Sequence, residues 1–125
     1  ILPGESFLIT AKCHCGNVSL LVAKMPASVS NCNCSICRRL GALWAYYLAD
    51  KVEVSFETEK TRVYIWGDKY LEFHHCGICG CCTHHTVTKK YVDEFKEQRV
   101  AINFRLLDAD VLKDIPLREF KGSNL

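Results

Sequence analysis

Nine cysteines fall into three tight groups along 125 residues, and whatever this chain folds into has to accommodate them. The groups are Cys13–His14–Cys15–Gly16, Cys32–Asn33–Cys34–Ser35–Ile36–Cys37 and Cys76–Gly77–Ile78–Cys79–Gly80, the last followed directly by Cys81 and Cys82. Disulfides fit this pattern poorly. The count is odd, and Cys13/Cys15, Cys32/Cys34 and Cys81/Cys82 are adjacent or one residue apart, a spacing that rarely meets disulfide geometry. No secretory leader is legible, since Ile1–Leu2–Pro3–Gly4–Glu5 has neither a basic start nor an apolar stretch behind it. Clustered thiols in a reducing, cytoplasmic setting bind metal instead.

The spacings suggest zinc. A two-residue gap lets one tight turn offer two sulfurs to a single Zn²⁺ at about 2.3 Å. Glycine directly after Cys15 and Cys79 suits backbone amides that turn back toward those sulfurs. Cys13 and Cys15 on one turn with Cys76 and Cys79 on another complete a four-thiolate tetrahedron, a closed structural site joining two distant segments. The middle group, Cys32, Cys34 and Cys37, has no obvious fourth ligand. Three protein ligands and an open position make a reactive zinc, unless a ligand from elsewhere closes it as a second structural site. Three thiolates more than cancel the ion's charge, so such a zinc generates hydroxide poorly and instead holds an incoming thiol as thiolate.

Length and patterning predict a mainly β, small zinc-organised β-sheet domain with few short helices, occupying residues 1–125 as a single domain. Val52, Val54 and Phe56 alternate with polar neighbours, and Val63 and Ile65 with Tyr64 and Trp66. Gly67–Asp68–Lys69 offers a turn into a returning strand over Tyr70–His74. A further strand is expected over Val100–Leu107, and segments 6–12, 17–23 and 43–49 read the same way. Helix is expected from an Asp108 cap to Ile115 and for one turn over Ser35–Leu40, whereas 89–99 reads equally as helix or charged loop. No apolar run approaches the ~18 residues of a membrane span. Nor is there a nucleic-acid footprint, because Arg38–Arg39 and Lys89–Lys90 are pairs rather than a basic face. The formal charge of +2 also overstates the basicity: seven metal-bound thiolates remove seven charges and two Zn²⁺ restore four, leaving about −1.

The motifs C-H-C-G-x-V (13–18), C-N-C-S-I-C-R-R-L-G-A (32–42), C-G-I-C-G (76–80) and V-A-I-N-F-R-L-L-D (100–108) resemble the glutathione-dependent formaldehyde-activating enzyme family, whose domain also occurs in centromere protein V. The resemblance spans most of the chain in the family's order. It implies a β-dominated, zinc-organised fold with the closed zinc on Cys13, Cys15, Cys76 and Cys79 and the reactive zinc on Cys32, Cys34 and Cys37. It further implies a carbon–sulfur lyase that joins glutathione and formaldehyde as S-hydroxymethylglutathione, so the expected partners are a small thiol and a small aldehyde. Cys81, Cys82 and the His-His pairs are not part of that pattern.

Arg38, Arg39 and Arg105 are candidate grips for the carboxylates of a glutathione-like ligand, and Asn103 shares a strand face with Arg105 in the predicted strand. His74, His75, His84 and His85 flank the third group; one of them is a candidate zinc ligand or proton carrier, against a plain structural role. Cys81 and Cys82 read most simply as small packing residues, and Trp44, Tyr46, Tyr47, Trp66 and Tyr70 as core rather than ligand-stacking aromatics. Two functions stand at this point: an enzyme of thiol–aldehyde adducts, and a non-catalytic zinc-stabilised binding module.

Overall fold

The computed structural model describes residues 8–120; positions 1–5, read above for a leader, and 6–7 of the first expected strand lie outside the described residues. In chain order the elements are β1 (Ile9–Lys12), β2 (Val18–Val22), β3 (Val29–Cys32), α1 (Ser35–Leu40), β4 (Trp44–Leu48), β5 (Glu53–Phe56), β6 (Arg62–Tyr64), β7 (Leu71–His75), β8 (Cys82–Val87), α2 (Lys89–Phe95), β9 (Arg99–Asn103), α3 (Ala109–Leu112) and β10 (Leu117–Phe120). They form two sheets. One has the order β1-β2-β5 and the other β10-β3-β4-β9-β8-β7-β6. All pairings are antiparallel except β10, which adds in parallel to β3 with Phe120 opposite Cys32. The expected mainly β class with few short helices is what the chain adopts. No helix among the described residues is long and apolar enough to cross a membrane.

Alternation explains how the sheets meet. Ile9, Ala11, Val18, Leu20 and Val22 turn one face of the small sheet inward, onto Ala45, Val100 and Ile102 of the large one. Burying a side chain such as Leu20 or Ile102 here contributes about 1.5–3 kcal/mol. The opposite face of the large sheet carries Trp44, Phe73 and Ala101, which pack with Cys32, Cys34 and Cys37. One sheet therefore has a purely structural side and a side given over to the middle cysteines.

Four expectations change in detail. The strand expected over Val100–Leu107 stops at Asn103, because Phe104–Leu106 tightens into a 3-10 turn that buries Phe104, and Asn103 caps it by accepting from Arg105 N at 3.0 Å. Residues 89–95 are helical, started by Thr88, whose hydroxyl accepts from Tyr91 N at 3.3 Å. Asp108 stands at the N-cap of α3 without a side-chain capping bond, and that helix ends at Leu112 rather than Ile115. β6 ends at Tyr64, so the Gly67–Lys69 turn sits within a longer connection.

Candidate functional site

The loop between β1 and β2 carries Cys13 and Cys15, and the loop between β7 and β8 carries Cys76 and Cys79. Each is a tight knuckle. Gly16 N donates to Cys13 O at 3.0 Å and Gly80 N to Cys76 O at 2.9 Å, and the glycines take φ of 83° and 80°, a left-handed region that side chains disfavour. The four sulfurs lie within 4.8 Å of one another, bringing the small sheet and the large sheet to a common point. Cys13 and Cys15 Sγ are 3.7 Å apart and Cys15 and Cys76 Sγ 3.6 Å. Tetrahedral zinc with bonds of about 2.3 Å has sulfur–sulfur edges of about 3.8 Å. The surrounding donors suit thiolates as well: Val18 N points at Cys13 Sγ (3.3 Å), Ile78 N at Cys76 Sγ (3.4 Å) and Asn17 Nδ2 at Cys76 Sγ (3.6 Å). Against burial, which pushes it up, the backbone amides of Cys81 and Cys15 and the neighbouring thiols hold the Cys79 thiol down to about 5. This group can hold a metal ion, and its donors fit zinc.

The second group is local. Cys32 ends β3, Cys34 caps α1 and Cys37 lies in the helix, with all three buried and their sulfurs within 4.8 Å of one another. Cys34 Sγ accepts from Cys37 N at 3.4 Å, so the ligand spacing and the helix start are one device. Trp44 Nε1 donates to Cys37 Sγ at 3.3 Å. These thiols too can hold a metal ion and fit zinc. No fourth histidine, cysteine or carboxylate joins this group among the described residues.

All three cysteines open instead onto a cavity of about 640 Å³. Its floor is the large sheet, where Tyr46 and His85 both stand opposite Ala101 and Phe73 stands opposite His85. Trp44 meets His85 edge-on with ring centroids 4.6 Å apart. Trp66 and Phe120 add apolar wall, and Arg99, Arg118 and Asp68 are its charged lining residues. Such a size and an apolar lining with a few polar groups are usual for a small-molecule site.

The other expected site residues are placed elsewhere. Arg38 is exposed, and Arg39 Nη1 donates to Ser35 O at 2.8 Å. Arg39, Asn103 and Arg105 line a different cavity, on the Cys81–Cys82 side of α1. Asn103 and Arg105 do not share a strand face, since the strand ends between them. Asn103 is buried and spends its amide on Leu43 N, Arg105 N and Cys82 O, while Arg105 Nε donates to Gly41 O at 3.0 Å. His85 faces the cavity, whereas His84 packs on the other face of β8, opposite Ile102 and stacked on His74 at 4.1 Å. Burial, then the charges of His74 and His85, pushes His84 down to about 3. Burial, then the charges of Arg99 and His74, does the same to His85. Both imidazoles are therefore neutral near pH 7. Sequence reasoning missed Arg99 and Asn17. Arg99 was within reach, because the face of β9 that carries Asn103 runs back through Ala101 to Arg99.

The family model described as "Glutathione-dependent formaldehyde-activating enzyme" matches residues 8–116. The fold is similar to the crystal structure of a Rhodobacter sphaeroides protein, at 26% identity and a TM-score of 0.68, over 88% of this chain and 100% of that one. No curated protein matches the sequence.

Proposed function

The chain belongs to the glutathione-dependent formaldehyde-activating enzyme family, and from that premise we propose that it is a carbon–sulfur lyase acting on thiol–aldehyde adducts. In one direction it joins glutathione, or a related thiol, to formaldehyde or a related small aldehyde; in the other it cleaves the same bond. One observation carries this reading. Three buried thiols line a ligand-sized cavity and meet no fourth histidine, cysteine or carboxylate ligand among the described residues.

Zinc at Cys32, Cys34 and Cys37, when bound, lowers the pKa of an incoming thiol and keeps it as thiolate. The chain's own residues do the rest. The backbone amide of Cys37 and the Trp44 indole N–H offset the charge that three cysteine thiolates concentrate here. Trp44, Phe73 and Trp66 exclude water from the reacting centre, which strengthens electrostatics within it. The substrate sulfur adds to the carbonyl carbon, the carbonyl π pair moves to oxygen, and that oxygen takes up the proton the thiol gave to solvent. Cleavage reverses each transfer. Water carries the proton in this scheme, because burial pushes His85 down to about 3 and so disfavours the imidazolium form that a proton carrier must pass through. The Cys13, Cys15, Cys76 and Cys79 group is assigned a structural zinc, and residues 1–125 are read as one domain. Nine unpaired thiols suit a cytoplasmic setting.

Metal analysis followed by glutathione titration at the zinc X-ray absorption edge tests the proposal. The expected result is close to two zincs per chain, with one additional sulfur ligand appearing at one of them. Two zincs whose coordination ignores glutathione, and no formaldehyde consumption, would instead support a binding module without turnover.

A further inference from the structure

The cavity carries polar equipment that the chemistry at the cysteines does not use. Among the described residues, two buried side-chain nitrogens have no hydrogen-bond partner, His85 Nδ1 and Arg99 Nε, and both residues line this cavity. A buried polar atom left unpaired is costly, so two on one wall, the Arg99 Nε donor and a ring nitrogen of His85, mark a place where a partner is missing. Glu97 forms an ion pair with Arg99, its carboxylate oxygen 3.9 Å from Nε, but it stands too far away to accept a hydrogen bond there. The guanidinium is held in place between aromatic faces, 5.3 Å from the Tyr46 ring centroid and 5.5 Å from that of Tyr91. Sheet register puts it next to His85: Tyr46 and His85 flank Ala101, and Arg99 is two residues back on the same face of β9. The arginines expected to grip a ligand are committed elsewhere in two of three cases, Arg39 to Ser35 O and Arg105 to Gly41 O.

We infer that Arg99, backed by His85, is a carboxylate-holding subsite, and that the thiol this cavity accepts carries its carboxylate away from the sulfur. A planar guanidinium fixed over two aromatic rings has lost its rotamer freedom before binding and offers a bidentate fork to a carboxylate. The Arg99 side chain is 33% exposed, so the rings shield that pair from water only in part. The thiol half of this statement rests on the function proposed above; the carboxylate half rests on Arg99 and His85 alone.

Zinc-loaded protein would be titrated with glutathione, with glutathione diethyl ester and with S-methylglutathione, following the indole N–H signals of Trp44 and Trp66 by NMR. Glutathione should bind at least tenfold more tightly than its diester. Arg99→Gln should bring glutathione down to the diester's affinity while leaving the diester unchanged, and Arg99→Lys should recover part of the difference. Equal binding of acid and ester by the parent protein, or equal weakening of both by Arg99→Gln and Arg99→Lys, would overturn the subsite. S-Methylglutathione, whose sulfur is blocked, separates the two ideas. If it binds as well as glutathione yet loses affinity in Arg99→Gln, the carboxylate subsite stands and thiol capture at the cysteines fails. If it binds without any dependence on Arg99, the subsite itself is wrong.

Discussion

Asn103 and Asn17 each do with one buried amide what a longer stretch of sheet would otherwise do. Asn103 accepts from Leu43 N and Arg105 N and donates to Cys82 O, tying β4, β8 and the turn after β9 together. Asn17 accepts from Thr58 N and Glu59 N and donates to Glu59 O, besides pointing at Cys76 Sγ. The buried histidines set the pH response. With a folded pKa near 3 against about 6.5 unfolded, His84 takes up a proton more readily in the unfolded chain. Its contribution is complete above about pH 6.5 and is lost as pH falls toward 3, at up to about 1.4 kcal/mol per pH unit. Urea unfolding at pH 7.5 and 5.5 should show this loss, and His84→Gln should reduce it by about half, the remainder coming from His85; an unchanged slope in the variant would refute the assignment. At this scale the cysteines were legible in the sequence, because ligand spacing is a local property. Asn17 was not, because its backbone partners lie 41 and 42 residues away. Arg99 was obscured by a strand extended past Asn103, which drew attention to Arg105 instead.

Between elements, the two cysteine groups do different mechanical work. Cys13 and Cys15 hang from the small sheet and Cys76 and Cys79 from the large one, so a metal held by all four would tie the sheets together beyond their shared core, and losing one ligand would weaken that tie. Structural zinc contributes about 10–16 kcal/mol in small zinc domains, as much as or more than the net stability of about 5–15 kcal/mol usual for a whole protein. Cys32, Cys34 and Cys37 all sit on the single β3–α1 segment and hold nothing else together. Cys79→Ser should therefore yield unfolded or insoluble protein. Cys34→Ser should melt cooperatively while retaining about one zinc per chain, as circular dichroism and metal analysis would report. Collapse of Cys34→Ser to the same degree would remove the distinction between the groups. The strand content was legible from alternation, as in Val52 to Phe56 and Val100 to Asn103. The division into two sheets was not, nor was the parallel return of β10 onto β3, because those pairings join residues far apart in sequence and leave no periodic trace.

Across the whole molecule, the separation of ligands along the chain is as unequal as their roles. The middle group closes a span of five residues, from Cys32 to Cys37, whereas Cys15 and Cys76 lie 61 apart. In an unfolded chain the longer closure costs about 2 kcal/mol more in loop entropy, before any sheet forms to offset it. Cobalt titrated into urea-unfolded protein should accordingly enter the local group first. Cys34→Ser should abolish that early absorption and Cys13→Ser should spare it; the opposite pattern would reverse the order. On the proposed assignment, a newly made chain would capture its first metal at the middle group, and an ion tying the two sheets would arrive only as they come together. Metal scarcity during synthesis would then leave chains chemically primed but mechanically unfinished.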